Sequence, residues 1–284
     1  DSSVRYYLYD AFAGVKYDLD ISKQPDAASG VNSADAPAAS ESRLDKVLAA
    51  GKITNVCEPY FAPYEFIDNT KSGQEQFRGA DMELARYIAK ELGVELEIVP
   101  LEWSAVLTGV GAGKYDMAVA GMAYTPERAE TMAMSKVYKP GGDQGLLVPA
   151  DKVDEYTSLA DFAGKKVGFQ SGTVQEQNVL TQLPDSEPVT FDIIQNAVLA
   201  LDSGKVDAVS VSIANGEMFV STNPKLAVST VQFDNSQNGN VIGFPKGETE
   251  LVDAVNKIID EVLEQGLYDQ WLEEATAEAE NLGL

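Results

Sequence analysis

Apolar residues along this chain recur with two spacings, one of three to four residues and one of two, and the two spacings follow each other through most of the sequence. The helical spacing is clearest at 77–93, a run that ends at Gly93. A strand-like apolar segment precedes this helix at 53–57, and another follows it at 94–99. This order of strand, helix and strand is typical of an α/β fold.

The same order of elements occurs twice, which predicts two lobes of similar construction. For the first lobe, we expect a helix through Leu44 that stops at Gly51, strands at 53–57, 94–99 and 117–120, and helices at 77–93 and 103–110. For the second lobe, we expect strands at 166–169, 189–191 and 208–211, and helices at 173–180 and 194–201. Helices at 249–263 and through Trp271 follow the second lobe.

Two short motifs occur once in each lobe and support this division. Gly113-Lys-Tyr-Asp and Gly204-Lys-Val-Asp each lead from a helix into a short apolar strand, while Gly51-Lys and Gly164-Lys each lead into an earlier strand. Because the motifs come in the same order, we expect two Rossmann-like α/β lobes with a cleft between them. Clefts of this kind bind small molecules.

The predicted lobes divide the chain into four parts. Residues 1–42 form an N-terminal extension and linker, since 20–42 is rich in Ala, Ser, Asp and Pro and has no periodic apolar face. Residues 43–145 form the first part of lobe one, 146–240 form lobe two, and 241–284 return to lobe one. The short apolar strands 145–148 and 240–244 are then the two crossings of a hinge.

Composition excludes several classes of function. The chain has 284 residues, 44% of them hydrophobic, and its formal charge of −24 is spread along the sequence, which excludes nucleic-acid binding. It contains no histidine and a single cysteine, Cys57, so the histidine-dependent catalytic triads and the usual zinc sites are absent. We expect no catalytic residues, no metal site and no cofactor. No apolar run is long enough to span a membrane, and the first residues lack the features of a signal peptide.

Arg128 is the main candidate for ligand binding. It follows Thr125-Pro126, a pair that predicts the start of a helix, and so lies in the first turn, where the helix dipole disfavours a cation by up to about 1 kcal/mol. A cation in this position predicts an anion nearby, and arginine binds a carboxylate through two parallel hydrogen bonds. The alternative is a surface arginine that pairs with Glu127 or Glu130.

Two further loops are expected to face the same cleft. Gln170-Ser-Gly-Thr173 follows a lobe-two strand, so its backbone N–H groups and the Thr173 hydroxyl occupy the position equivalent to the Arg128 loop. Aromatic residues follow the first lobe-one strand at Tyr60 and Tyr64, and Trp103 adds another. Such rings sandwich an apolar or cationic side chain, although core packing is an equal alternative for Trp103 and Phe66.

The chain from about residue 51 to 271 resembles the extracytoplasmic solute-binding proteins of polar amino-acid ABC importers, family 3. The matching segments are the turn Tyr60–Tyr64, Gly79-Ala-Asp-Met-Glu-Leu84, Ala120-Gly-Met-Ala-Tyr-Thr-Pro-Glu-Arg128, Met134-Ser-Lys-Val-Tyr138, Leu159-Ala-Asp-Phe-Ala-Gly-Lys-Lys-Val-Gly168, the Ser-Gly-Thr loop, and Gln265-Gly-Leu-Tyr-Asp-Gln-Trp271. They occur in the family's order and cover most of the chain.

This resemblance implies a periplasmic-binding-protein fold of the second type, which closes over an amino acid and delivers it to a membrane permease. It implies a monomer outside the cytoplasm, and the 20–42 linker fits a lipid-anchored protein. It also implies that Arg128 holds the α-carboxylate of the ligand. The expected ligand-binding residues are Tyr60, Tyr64, Trp103, Gly121, Ala123, Arg128, Gln170, Gly172, Thr173 and Ser212.

The sequence departs from the family pattern at two of these residues. The family usually has an aspartate at the position of Ser212, where it binds the α-ammonium group, and a serine or threonine at the position of Ala123. A buried ammonium without a charged partner is costly. Either another carboxylate replaces the aspartate, with Glu58, Glu217 and Asp143 as candidates, or the ligand lacks a free α-amine.

Two other functions are compatible with the same pattern. Dehydratases that act on prephenate-like or arogenate-like acids share this fold, bind a carboxylate through the same arginine and need no histidine. A ligand-sensing domain of a signalling receptor is the other alternative. The chain ends soon after Trp271 without a catalytic domain, which favours a freestanding binding protein.

Overall fold

A computed structural model describes residues 6–10, 15–19, 41–234 and 239–284 of the chain. These residues belong to two compact units, 1–41 and 42–284. In the first unit, β1 (Tyr6–Asp10) and β2 (Val15–Leu19) pair as an antiparallel hairpin. The linker predicted at 20–42 lies outside the described residues up to residue 40.

The first half of the second unit forms the greater part of lobe one. Its elements are α1 (Arg43–Ala50), β3 (Lys52–Cys57), β4 (Phe66–Ile67), β5 (Phe77–Arg78), α2 (Ala80–Leu92), β6 (Glu95–Pro100), α3 (Trp103–Gly111), α4 (Pro126–Thr131) and β7 (Met132–Met134). β3 and β6 are parallel neighbours, and β3 also bridges to Met117 in parallel register. Gly51 and Gly93 end α1 and α2 in the left-handed conformation that glycine adopts readily.

Two lobe-one predictions are wrong in detail. The helix expected at 77–93 begins at Ala80, because Phe77–Arg78 pairs with Phe66–Ile67 as a strand and Gly79 turns the chain with a φ of 122°. The strand expected at 117–120 is reduced to single bridges at Met117 and Ala118. In both places, pairing with a distant segment decides the local structure.

Lobe two is built on one five-stranded sheet. Its elements are β8 (Lys139–Pro140) at the entrance, then β9 (Gln144–Pro149), β10 (Lys166–Gln170), α5 (Val174–Gln182), β11 (Glu187–Phe191), α6 (Ile194–Asp202), β12 (Ala208–Ser212), α7 (Ile213–Thr222) and β13 (Leu226–Gln232). The strand order is β11-β10-β12-β9-β13. β10 is parallel to β11 and β12, while β9 is antiparallel to β12 and β13.

The prediction that 145–148 crosses between the lobes is therefore wrong. This segment is the body of β9, which lies inside the sheet and is apolar because both of its faces are covered. The chain crosses instead where β8 pairs with β14 (Gly239–Asn240) in antiparallel register. Of the second predicted crossing, only Asn240 lies at this pairing, while β15 (Gly243–Pro245) pairs with β7 of lobe one.

The chain then completes lobe one with α8 (Thr249–Glu264) and α9 (Leu267–Leu282). Their apolar faces pack with α2 and β15 in one core cluster that includes Leu84, Ile88, Phe244 and Ile259. No helix in the described part of the chain is both long enough and apolar enough to cross a membrane. The lobe boundaries expected at 43, 145 and 240 stay a prediction.

Candidate functional site

A cavity lies between the two lobes, at the carboxyl ends of β3, β10 and β12. It is lined from lobe one by Glu58, Phe61, Tyr64, Glu65, Trp103, Ala120, Gly121, Ala123 and Arg128, and from the hinge and lobe two by Gly142, Gln144, Gln170, Thr173, Val174, Gln175, Ser212 and Asn240. Strand ends in open α/β sheets converge on such crevices because the loops that leave them turn to the same side. The cavity is therefore a direct product of the two-lobe topology.

Hydrogen bonds join the lobes across this cleft. They run from Trp103 Nε1 and Arg128 Nη2 to the Gly172 carbonyl oxygen, from Gln170 Nε2 to Glu58 Oε2, from Gln195 Nε2 to the Tyr60 carbonyl oxygen and from Asn215 Nδ2 to the Ala62 carbonyl oxygen. The two lobes are in direct contact, and side chains from both reach the cavity.

Arg128 lies on α4, as the cap residues predict. The Thr125 hydroxyl accepts from the Arg128 backbone N–H, and Pro126 is the first helical residue. The guanidinium donates to the Ala123 carbonyl oxygen at 2.6 Å and to the Gly172 carbonyl oxygen at 2.9 Å, and it lies over the Trp103 ring at 5.2 Å from the centroid. These contacts orient the fork of N–H groups at the cavity wall.

In the described part of the chain, no carboxylate neutralises the charge of Arg128. Among the residues that the structure describes, it forms no ion pair, and neither Glu127 nor Glu130 pairs with it. Desolvation lowers the pKa of the Arg128 guanidinium to about 10, with Glu127 acting in the opposite direction. A partly buried guanidinium with only neutral oxygen acceptors is well suited to bind an anion.

The lobe-two loop is held by its own cap. The Thr173 hydroxyl donates to the Gln170 carbonyl oxygen at 2.7 Å and accepts from the Glu176 N–H, and the Gly172 N–H donates to Glu176 Oε2. Thr173 and Gln170 line the cavity. Gly172 lies beside it in a neighbouring groove and contributes its carbonyl oxygen to the contacts with Arg128 and Trp103.

The aromatic wall differs from the expectation. Tyr64, which is buried, and Phe61 stack at a centroid distance of 5.1 Å, and both line the cavity. Tyr60 does not, because its side chain is 50% exposed and faces a separate groove with Gln195 and Phe219. The sequence pattern placed an aromatic pair in this loop, but only the backbone turn selects which rings point inward.

Two buried carboxylates of lobe one line the cavity. Glu58 is 6% exposed and accepts from the Trp103 N–H at 3.2 Å and from Gln170 Nε2 at 2.7 Å. Glu65 is 2% exposed, and its Oε2 has no hydrogen-bond partner in the described structure. Glu65 was not predicted from the sequence; its position beside Tyr64 in the aromatic loop was the available signal. Asp143 and Glu217, the other candidates named beside Glu58, do not line the cavity.

Burial controls the proton affinity of both groups. Desolvation raises the pKa of Glu58, although its hydrogen bonds from Gln170 and Trp103 act against the shift. Desolvation also raises the pKa of Glu65 well above its usual value, and the charges of Asp81 and Glu58 add to the effect. Within the described residues, neither carboxylate has an ion-pair partner.

A third buried carboxylate supports the site from behind. Asp81 on α2 accepts from the Gly121 N–H at 2.5 Å, from the Tyr138 hydroxyl at 2.7 Å and from the Tyr268 hydroxyl at 2.5 Å. These bonds connect the cavity loop at Gly121 to Tyr138, which directly precedes β8, and to α9. The sequence did not reveal this network because its members are far apart along the chain.

The two departures from the family pattern both lie at the cavity. Ser212 is the N-cap of α7, where its hydroxyl oxygen accepts from the Asn215 N–H, and Ala123 contributes its carbonyl oxygen to Arg128. Neither residue supplies a charge. No group of three or more potential ligating residues in the described ranges is arranged to hold a metal ion.

Known proteins share this sequence and this architecture. The chain is 27% identical over 230 residues to the ABC transporter arginine-binding protein 1 of Escherichia coli, which covers 78% of this chain and 91% of that protein. An amino-acid ABC transporter substrate-binding protein of Streptococcus pneumoniae, solved with L-arginine, is 34% identical, has a TM-score of 0.78 and covers 83% of this chain and 98% of its own. An ancestral amino-acid-binding protein, described as a precursor of cyclohexadienyl dehydratase, is 28% identical with a TM-score of 0.73 and covers 83% of this chain and 99% of its own.

These structures support the expected fold, in which two α/β lobes are joined by a two-segment hinge. The sequence pattern of the bacterial extracellular solute-binding proteins, family 3, matches residues 53–275. The match includes both lobes, the paired strands of the hinge and the residues of the cavity. The chain therefore belongs to the bacterial extracellular solute-binding proteins, family 3.

Proposed function

We propose that this protein captures an amino acid or an amino-acid derivative outside the cytoplasm and delivers it to the permease of an ABC importer. The observation that carries the proposal is the state of Arg128, a cation that faces the cavity and is held by carbonyl oxygens from both lobes. A guanidinium in this setting binds a carboxylate with two parallel hydrogen bonds. The carboxylate of the ligand is the partner that Arg128 lacks within the described protein.

Two carboxylates of the cavity wall support a ligand that also carries a positive charge. Glu58 and Glu65 are buried there without a cationic partner in the described structure, and buried carboxylates of this kind are stabilised by a nearby cation. A ligand ammonium or guanidinium supplies that charge. Of the two alternatives raised by Ser212, the geometry therefore favours replacement of the usual aspartate by another carboxylate. A cationic amino acid also agrees with the arginine-binding relatives.

Hinge closure is the proposed capture mechanism. Residues of both lobes line the cavity, so a ligand contacts all of them only when the lobes meet. A ligand that binds the closed form more tightly shifts the population toward it by that difference in affinity. We propose that the protein acts as a monomer, that a lipid anchor holds it at the cell surface, and that it is not an enzyme.

Four related compounds test the proposal by isothermal titration of ligand-stripped protein. L-Arginine carries all of the proposed groups, agmatine lacks the carboxylate, L-citrulline replaces the guanidinium with a neutral ureido group, and 5-guanidinopentanoate lacks the α-amine. We expect L-arginine to bind and agmatine to bind at least about 100-fold more weakly, since a charge-assisted bidentate contact is lost. The weaker of L-citrulline and 5-guanidinopentanoate identifies the cation that faces Glu58 and Glu65. Equal binding of all four, or binding of agmatine alone, overturns the proposal.

A dehydratase is the second candidate function. It is favoured by one observation: Glu65, a buried carboxyl group whose pKa is raised well above its usual value by desolvation, lines the same cavity as Arg128, and a raised pKa suits a general acid. The similar ancestral amino-acid-binding protein is a precursor of cyclohexadienyl dehydratase, which also favours this candidate. Formation of product from prephenate or arogenate in the presence of the protein supports it, and the absence of turnover alongside L-arginine binding supports the transport function.

A further inference from the structure

Glu65 differs from the other acidic residues around the cavity in having a buried carboxylate oxygen that no donor contacts in the described structure. Its side chain is 2% exposed, it lines the cavity, and its Oε2 is a buried oxygen without a hydrogen-bond partner in the described structure. Glu58, by contrast, accepts two hydrogen bonds, and Asp81 accepts three. An ionised carboxylate without donors or counter-charge is strongly disfavoured in such a place.

The nearby acidic groups disfavour the ionised form of Glu65. On its own loop, Glu58 and Tyr64 face the same cavity, and from α2 the buried Asp81 approaches from behind. The hinge side contributes Tyr138 and Lys139, α9 contributes Tyr268, β3 contributes the buried thiol of Cys57, and α4 contributes Arg128, which lines the same cavity. Lys139 lies over the Tyr64 ring rather than in an ion pair with Glu65.

The position of the proton follows from the hydrogen bonds. Three donors stabilise the ionised form of Asp81, while Oε2 of Glu65 has no donor among the described residues. Desolvation, assisted by the negative charges of Asp81 and Glu58, raises the pKa of Glu65 well above its usual value. When two nearby acidic groups share one proton, it resides on the one whose anion is less stabilised.

We propose that Glu65 holds a proton in the ligand-free protein and releases it to solvent when the cationic group of the ligand enters the cavity, so that binding exchanges one proton for one cation. This inference rests on the proposed function, since it requires a cationic ligand. The bond that breaks is O–H of the Glu65 carboxyl group, the proton leaves to water, and the carboxylate becomes the acceptor for the ligand. The total charge of the cavity is then the same before and after binding.

Proton exchange has a measurable consequence for affinity. Between the pKa values of Glu65 in the bound and free states, the affinity for the cation rises with pH, by up to about tenfold per pH unit. Above the free-state value, Glu65 is already ionised and the dependence disappears. A site whose acidic groups are all ionised at the outset has no such dependence.

The test is isothermal titration with L-arginine in buffers of different ionisation enthalpy, from about pH 6 to about pH 9. The parent protein is compared with Glu65→Gln, which keeps the shape of the side chain and removes the titrating proton. Glu58→Gln removes the neighbouring carboxylate, and Glu217→Gln makes the same change at an exposed glutamate outside the cavity. The dependence of the observed heat on buffer enthalpy gives the number of protons released.

We expect the parent and Glu217→Gln to release close to one proton and Glu58→Gln to keep most of that release. Glu65→Gln is expected to release none and to bind about tenfold or more weakly at the upper end of the pH range. L-Arginine binding without proton release in the parent overturns the inference but leaves the proposed function standing. Loss of the release in Glu58→Gln rather than in Glu65→Gln also overturns it. If L-arginine and the other cationic amino acids do not bind at all, it is the proposed function that fails.

Discussion

Gln170 and Glu58 meet across the cleft, where the Gln170 side-chain amide donates a hydrogen bond of 2.7 Å to Glu58 Oε2. The two residues are 112 positions apart in the sequence and belong to different lobes. Glu58 also accepts from the Trp103 N–H, so the amide completes the set of donors that hold a buried carboxylate in place. This contact exists only when the lobes are together, and it therefore links closure to the electrostatics of the cavity.

Replacement of Gln170 by alanine is expected to weaken ligand binding. The change leaves Glu58 Oε2 without its donor in the closed form, and a hydrogen bond to a charged group contributes about 1.5 to 3 kcal/mol, or roughly 10- to 150-fold in affinity. Isothermal titration with the bound amino acid measures the effect. Gln265→Ala, at an exposed position at the end of α8, serves as the matched control and should leave affinity unchanged. Equal affinity of Gln170→Ala and the parent would show that the contact does not contribute to closure.

Arg128→Ala is expected to remove binding while the protein stays folded. The guanidinium is half-buried and contacts carbonyl oxygens rather than a carboxylate, so its loss creates no unpaired buried charge. Arg128→Lys should bind with intermediate affinity, because lysine keeps the charge but not the planar fork. Arg78→Ala, which removes an ion pair with Glu278 outside the cavity, is the control. Affinity of Arg128→Ala within about tenfold of the parent, equal to roughly 1.4 kcal/mol, would exclude the carboxylate assignment.

Ligand-free Glu65→Gln is expected to be more stable than the parent at high pH. The folded-state pKa of Glu65 is raised above the unfolded value of about 4.3, so its contribution to stability is full below that value and is lost as pH rises through the folded-state pKa. Each pKa unit corresponds to about 1.4 kcal/mol, and about 1 kcal/mol moves the melting midpoint of a chain of this size by roughly 2 to 4 °C. Thermal melts at several pH values measure this, and the advantage of Glu65→Gln should grow with pH. A constant difference at all pH values would mean that Glu65 has the same pKa in the folded and unfolded protein.

Ser212→Asp is expected to broaden the range of ligands to neutral amino acids. Aspartate is as good an N-cap as serine, so α7 keeps its cap while the cavity gains a carboxylate for the α-ammonium group. Ser212→Ala, which removes the cap and adds no charge, should cost about 1 kcal/mol of stability without changing the ligand range. A thermal-shift screen against the common amino acids compares the variants. If Ser212→Asp responds to the same ligands as the parent, Ser212 does not determine specificity.

Ligand binding is expected to change the tryptophan fluorescence through a single residue. The chain has two tryptophans: Trp103 lines the cavity beside Arg128, and Trp271 packs against Tyr87 and does not line the cavity. The signal should disappear in Trp103→Phe and persist in Trp271→Phe. Trp103→Phe also loses the hydrogen bond to the Gly172 carbonyl oxygen, which predicts an affinity about fivefold lower. Persistence of the full signal in Trp103→Phe would place the ligand elsewhere.

The sequence determined the features that depend on neighbouring residues. The helix start at Thr125-Pro126 and the left-handed glycines after α1 and α2 are set by side chains and backbone freedom within one turn, and they lie where the pattern predicted. The succession of elements also placed the loops of Arg128 and Thr173 at strand ends that face one cavity. Local chemistry and the order of elements therefore predicted most of the candidate site.

Tertiary structure decided the features that depend on distant residues. The apolar run 145–148 reads equally well as a crossing or as a covered strand, and only its pairing with β12 and β13 makes it the latter. Phe61 rather than Tyr60 enters the cavity. The sequence could not predict this choice, because a loop has no periodicity that assigns sides to its residues. Glu65 is exceptional only through its burial beside Glu58 and Asp81, which raises the free energy of its charged form. The proton that it is proposed to exchange thus depends on the folded environment and not on the residue type.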